Sequence, residues 1–230
     1  MDYFIEALRA AVALIGSFDA DVYGIVWTTV SVSVVACALA AAAGIPLGLI
    51  VALRRFRGRG LVLLLLNTLM ALPTVVVGLF LYAVLSRRGP LGGLDLLYTR
   101  AGIVAGEVLL ILPIVTNLTV SAINGLDARI ALTCKALGAS VWQQAVTLVR
   151  EGRFAVMAAV VTAFGRVIGE VGVAMMIGGN IKGFTRTMTT AIALETSKGE
   201  FELALALGLL LLLVALVVNA LLRCLQRQSR

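Results

Sequence analysis

Phe154–Gly179 reads FAVMAAVVTAFGRVIGEVGVAMMIGG, an apolar run carrying two charges, Arg166 and Glu170. A helix rises about 1.5 Å per residue, so ~20 such residues cross the ~30 Å hydrocarbon layer of a bilayer. This stretch reads as a membrane span. Working outward, Tyr23–Leu53, Leu61–Leu85, Ala101–Asn124 and Phe201–Leu222 meet the same requirement. The first of these is long enough to tilt or to project beyond the bilayer. Hydrophobic residues make up 61% of the 230, charged residues 13%, and the mean hydropathy is +1.06. A soluble globule of this size cannot bury so much apolar side chain, and a disordered chain is polar and charge-rich. The sequence predicts an all-α polytopic membrane protein with five transmembrane helices plus a short N-terminal helix.

That short helix contains Ala10–Gly16, too brief to span. Asp2 and Glu6 outweigh Arg9, so the basic start of a cleaved signal peptide is missing. It reads as a retained segment on or near the membrane surface. With the amino terminus outside, the cytoplasmic segments hold eleven basic residues (Arg54, Arg55, Arg57, Arg59, Arg129, Lys135, Arg150, Arg153, Arg223, Arg227 and Arg230) against Asp127 and Glu151. The outer segments hold seven basic and eight acidic residues. Positive residues collect inside, and Tyr23, Trp27, Tyr82 and Tyr98 then mark the outer interface. The expected organisation is an external or interfacial segment 1–22, a transmembrane unit 23–222 with a cytoplasmic loop 125–153, and a cytoplasmic tail 223–230. The net charge of +7 belongs to these loops, not to nucleic-acid binding.

The chain has no His, so the commonest metal ligand and the default general base are missing. Cys37, Cys134 and Cys224 have no metal-ligand spacing and read as free thiols. No metal site and no catalytic group is expected. An odd number of spans without repeated halves argues against a carrier built from two related halves. One five-helix subunit makes a thin wall for an aqueous path, which a homodimer would complete. Gly44/Gly48, Gly102/Gly106 and Gly165/Gly169 have the small-residue spacing that lets helix backbones approach.

Polar residues within the spans are the candidates for a path or gate. Asn117, Ser121 and Asn124 share one face of the third span, with Thr116 and Thr119 beside them. They line a path or bond between helices; spacing alone fits both. Thr28, Thr29, Ser31 and Ser33 can fold their hydroxyls onto the preceding turn, and structure is the better reading. Pro73, followed by Thr74, should kink the second span, as a gate or as packing; Pro46 and Pro113 raise the same question. Arg166 and Glu170, four apart, can pair in the fourth span. Charges at that depth are costly and are functional candidates, the alternative being a pair that fixes the helix in place. Glu107 is expected to reach the outer headgroups.

The loop 125–153 contains ALTCKALGASVW at Ala131–Trp142. Helix formers precede Gly138, and Ala139–Val149 can form a second short helix, a compact knob for a soluble partner. Here the chain resembles the permease subunits of ATP-binding-cassette importers. Gly138 takes the glycine position of their EAA loop, and Ala136-Leu137-Gly138-Ala139-Ser140 with Trp142 matches its core. Leu132-Thr133-Cys134 replaces the Glu-Ala-Ala and Arg150-Glu151 the Leu-Pro. Thr29–Ala52 looks like the first core helix of these permeases, and Leu72–Gly78, Arg88–Gly92 and Phe164–Gly172 followed by Gly179-Asn180-Ile181 resemble the molybdate and sulfate branch. Thr185–Thr196 (TRTMTTAIALET) looks like the tungstate importers.

The resemblance implies a type I importer permease fold in the cytoplasmic membrane of a bacterium or archaeon. It implies an ATPase dimer holding ATP and Mg, docked on Lys135, Ala136, Leu137, Gly138, Ala139, Ser140 and Trp142. It implies an extracytoplasmic oxyanion-binding protein and no cofactor on the chain itself, and the homodimer expected from the odd helix count and the small-residue spacings stands beside it. The chain has no GxxxxGK(S/T) phosphate loop, so a separate subunit must hydrolyse ATP. The competing class is a stand-alone channel or ion-coupled anion carrier, which has no use for a docking knob. An intramembrane enzyme is disfavoured by the lack of HExxH, GxSxG or a carboxylate pair.

Overall fold

The computed structural model describes residues 2–17, 19–54 and 56–228, with fewer side chains and none beyond Ala220. Arg55 and the side chains of Arg223, Cys224, Arg227 and Arg230 lie outside the described residues. The helices are α1 (Asp2–Gly16), α2 (Ala20–Leu53), α3 (Arg59–Met70), α4 (Thr74–Leu85), α5 (Arg100–Asn124), α6 (Ala128–Ala136), α7 (Val141–Glu151), α8 (Arg153–Ile168), α9 (Gly172–Gly178), α10 (Met188–Lys198) and α11 (Phe201–Gln228). A short 3-10 turn, Gly92–Leu94, precedes α5. No strand occurs among the described residues.

Among the described residues three helices are long and apolar enough to cross a bilayer alone: α2, α5 and α11 over Phe201–Ala220. Two further spans expected as continuous helices are broken. The second divides into α3 and α4 at a bend of 99°, the fourth into α8 and α9 at 58°. Proline explains the first break. Pro73 has no N–H to donate and disfavours helical backbone at Leu72. The second break has no proline: α8 stops at Ile168, and the Glu170 carboxylate accepts from the Val173 N–H at 3.2 Å at the start of α9. Arg166 therefore sits in the last turn of a helix and Glu170 in a break, not both within one continuous span. Pro46 and Pro113 lie inside unbroken helices.

The core forms where α2 packs along α5. Gly44 and Gly48 make this possible: a Cβ on Gly48 would sit 2.7 Å from both the Thr116 carbonyl and the Thr119 Cβ. Farther along α5, a Cβ on Gly106 would strike Val173 and Ile177 of α9. Ile111, Val115, Ala163, Val173 and Ile177 form the centre of the resulting cluster. Gly165 and Gly169, the third small-residue pair, face open space within the protomer.

α1 packs against α11, and the Tyr23 hydroxyl donates to the Ile15 carbonyl at 3.1 Å. Residues 223–228, expected as tail, continue α11. The helix α10 was not expected. It starts from a capping box in which Thr187 and Thr190 each satisfy the other's backbone N–H.

Candidate functional site

The loop after α5 folds as two helices around a glycine. α6 ends at Ala136, and Gly138 turns the chain with φ +71°. Glycine adopts this angle without a Cβ penalty. The Gly138 N–H donates to the Lys135 carbonyl (3.0 Å) and the Ala139 N–H to the Cys134 carbonyl (2.9 Å), closing the C-terminus of α6. Ser140 then starts α7 in a capping box with Gln143. At the other end Asp127 caps α6, and the Arg129 guanidinium bonded to it at 2.6 Å holds its carboxyl below its ordinary range. Leu132, Leu137, Val141 and Trp142 are exposed, Leu137 by 81% and Trp142 by 76%. All seven residues singled out from Lys135 to Trp142 lie at or beside this turn, with its largest apolar side chains uncovered.

A second constellation forms where the two broken spans meet. A Cβ on Gly172 would lie 2.8 Å from Thr74 Oγ1 and 2.9 Å from the Val75 nitrogen, so the start of α9 rests on the start of α4. Pro73 and Thr74 are thereby brought within a turn of Glu170. Arg166 Nη1 donates to Glu170 Oε2 at 2.7 Å; the Glu170 side chain is 2% exposed and that of Arg166 41%. The pair has a buried anionic end and a half-open cationic end. Glu107 also belongs here. Expected among the headgroups, it is buried, and its Oε2 has no hydrogen-bond partner. Its neighbour Gly106 is where α9 packs over α5, so this part of the helix lies inside the protein.

The helix α5 divides its polar residues between two faces. Thr116 and Thr119 are buried against α2, and the Thr116 hydroxyl donates to the Leu112 carbonyl at 2.7 Å. Ser121 and Asn124 are exposed. Asn117 reaches α3, its amide donating to Asn67 Oδ1 at 2.7 Å and to Met70 Sδ at 3.2 Å. The three residues predicted to share a face do so, but Asn117 is engaged between helices. The two constellations are separate: nothing joins Gly138 and Trp142 to Glu170 except the helices between them.

Residues 44–230 match the family described as "Binding-protein-dependent transport system inner membrane component". The chain belongs to that family. It is 42% identical over 228 residues to the tungstate uptake system permease protein TupB of Peptoclostridium acidaminophilum, covering 99% of this chain and 100% of that one. It is 40% identical over 227 residues to TupB of Campylobacter jejuni, covering 99% and 95%. The chain is thus a permease, similar along nearly its whole length to tungstate permeases.

One polar network in this permease escaped the sequence reading. The Thr189 hydroxyl donates to the Glu170 carbonyl at 2.7 Å, and the Thr185 hydroxyl and the Gly178 carbonyl are also bonded, at 2.5 Å. Thr190 and Asn180 bond each other in both directions, Thr190 Oγ1 to Asn180 Oδ1 at 3.0 Å and Asn180 Nδ2 to the Thr190 carbonyl at 3.3 Å. Thr29 of α2 donates to the Ile25 carbonyl (2.9 Å) and accepts the Met188 N–H (2.8 Å). These bonds tie the break at Glu170 to α2 and α10. Four threonines within Thr185–Thr190, shortly after Gly179-Asn180, were the available signal.

Proposed function

We propose that this permease serves an ATP-driven importer that moves an oxyanion, tungstate, inward across the cytoplasmic membrane. The observation that carries the substrate is the end-to-end similarity to two tungstate uptake permeases. In this reading each bent pair counts as one span, giving five spans plus α1, with the amino terminus outside and the carboxyl terminus in the cytoplasm. The residues 23–222 form the transmembrane unit between an external segment 1–22 and the end of α11.

ATP and Mg are held by a partner ATPase dimer. That partner seats on the turn at Gly138, whose exposed Leu137 and Trp142 supply the apolar anchors. Closure of the ATPase then pushes on α5 and α8, which flank the loop. An extracytoplasmic binding protein delivers the anion. Two copies of the chain enclose the path, and the open backbone at Gly165 and Gly169 lets a second copy approach closely. The meeting of Pro73, Thr74 and Gly172 acts as the hinge. The Arg166–Glu170 pair holds the break in α8/α9, and the exposed face of Asn117, Ser121 and Asn124 borders the path.

The test is reconstitution with the ATPase and binding protein in proteoliposomes, following tungstate uptake and ATP hydrolysis together. Uptake that needs ATP and the binding protein is expected. Tungstate flux without either would mean a channel or carrier.

A further inference from the structure

A pocket of about 250 Å³ opens between the start of α2, the start of α5 and the loop from α9 to α10. Arg100, Lys182 and Arg186 line it against one carboxylate, Asp21, with Trp27 and Thr28 in the wall. Lys182 and Asp21 are matched to each other at 2.6 Å. Two guanidinium groups remain.

Arg186 is sunk into the protein, its side chain 15% exposed. Its Nη1 stands 3.9 Å from Glu195 Oε1, and its Nη2 donates to the Asn180 carbonyl at 3.5 Å. Glu195 is held more closely by Lys198, whose Nζ reaches its two oxygens at 3.1 and 3.2 Å. One carboxylate is therefore shared by two cations. The Nε of Arg186 is buried without any acceptor. A buried donor left unmatched is costly, and a charged one more so. Arg100 is positioned from the other side. Its Nε donates to the Phe184 carbonyl at 2.7 Å and its guanidinium lies 5.9 Å over the Phe184 ring. This fixes its plane while its terminal nitrogens have no hydrogen-bond partner among the described residues.

We propose that this pocket binds a small tetrahedral oxyanion at the extracytoplasmic mouth of the permease, with Arg100 and Arg186 as its ligands. The inference rests on the oxyanion-importer reading and on the start of α2 lying outside. Guanidinium forks match the spaced oxygens of an oxyanion better than a lysine does. A dianion can accept from the terminal nitrogens of Arg186, which Glu195, shared with Lys198, holds only at 3.9 Å, and it offsets the excess of cations in the pocket lining. The small volume of the pocket favours a free ion over a protein segment.

The experiment is equilibrium dialysis of the full chain in nanodiscs against tungstate in a chloride buffer, without binding protein, with retained tungsten read by elemental analysis. Saturable retention is expected, and Arg100→Gln and Arg186→Gln should each weaken it about tenfold or more. Arg100→Gln should lower the melting temperature only slightly, since it loses one solvent-exposed hydrogen bond to the Phe184 carbonyl. Absence of retention by the wild-type chain would overturn the proposal, as would equal retention by a folded Arg100→Gln chain. A pocket that retains no tungstate but loses binding-protein capture in Arg100→Gln would be a seat for that partner's carboxylates, and the proposal would be wrong. Co-purification of an ATPase, measured separately, tests the importer reading without affecting this readout.

Discussion

The turn at Gly138 and the break at Glu170 both interrupt helices, yet they are finished in opposite ways. At Gly138 the backbone is satisfied locally, and the large side chains Leu137 and Trp142 are left uncovered. At Glu170 the side chain is buried and bonded to Arg166 and the Val173 N–H, while its carbonyl takes the Thr189 hydroxyl. The first interruption exposes apolar surface that this chain does not cover. The second is held from several directions by this chain's own groups. A turn completed by its own neighbours can lose a surface side chain without unfolding. A break that buries a charge cannot lose the partner of that charge so easily. Substitutions in the two regions should therefore separate function from folding.

The largest expected effect is on transport. Replacing Leu137 and Trp142 together by Ala should abolish ATP-driven tungstate uptake while the melting temperature moves little. Interface anchors of this size each cost ~2 kcal/mol or more on truncation, so the ATPase affinity should fall by well over a hundredfold. Co-purification of the ATPase and uptake by proteoliposomes check this. Wild-type uptake by the doubly substituted chain would remove the loop from the coupling path and erase the contrast.

Next in size is Arg166→Ala, which leaves Glu170 buried without its cation. Breaking a buried pair costs ~3–5 kcal/mol, and the half-open position of Arg166 places this site at or below the lower end. The yield of detergent-stable protein should drop sharply. Arg166→Met combined with Glu170→Leu should recover much of it, because no unpaired charge remains. A normally stable Arg166→Ala chain would show that the pair does not hold the break. Recovered folding without recovered uptake would give the pair a part in transport as well.

Much of this contrast was legible in the sequence, for identifiable reasons. The five apolar stretches are set by the thickness of the bilayer, and the bend at Pro73 by a missing N–H. The turn at Gly138 follows from local chemistry within a dozen residues. The break at Glu170 was hidden because no proline marks it: the carboxylate that caps α9 was read as one end of an i, i+4 pair in a continuous helix. Glu107 was misplaced because it lies beside Gly106, where α9 crosses α5, a contact between distant segments. The threonine network was missed for the same reason. Thr29 and Met188 are bonded across 159 positions, and no periodicity joins them. The helix α10 lay in a threonine-rich stretch whose polarity resembles a loop until its capping box is formed.

A smaller effect distinguishes packed from open glycines. Gly48→Ala introduces a Cβ 2.7 Å from the Thr116 carbonyl, and such overpacking typically costs ~1–3 kcal/mol. Gly165→Ala meets nothing within 4 Å and should leave the protomer's stability unchanged or slightly raised, since Ala is the better helix former. Thermal melts of both variants, with size-exclusion analysis of Gly165→Leu, check packing and assembly together. A dimer that survives Gly165→Leu unaltered would move the subunit interface away from this face of α8.

The smallest expected effect lies on α5, between the two regions, where Asn117 bonds Asn67 of α3 at 2.7 Å. Hydrogen bonds between membrane helices average only ~0.6 kcal/mol in double-mutant cycles, because the loosened state finds other partners. A cycle of Asn67→Ala, Asn117→Ala and the double variant should return a coupling energy of about that size. Ser121→Ala, on the exposed part of the same face, should not change stability measurably. Transport measured on the same four chains decides what the face does. If Asn117 serves only to tie α5 to α3, uptake should follow the modest change in stability, and Asn67→Ala should affect it as much as Asn117→Ala. If the face borders the path, Asn117→Ala and Ser121→Ala should alter uptake at unchanged stability, while Asn67→Ala acts only through the lost bond. A coupling energy near zero would mean that the bond does not tie α5 to α3, leaving the path role to be judged from uptake alone.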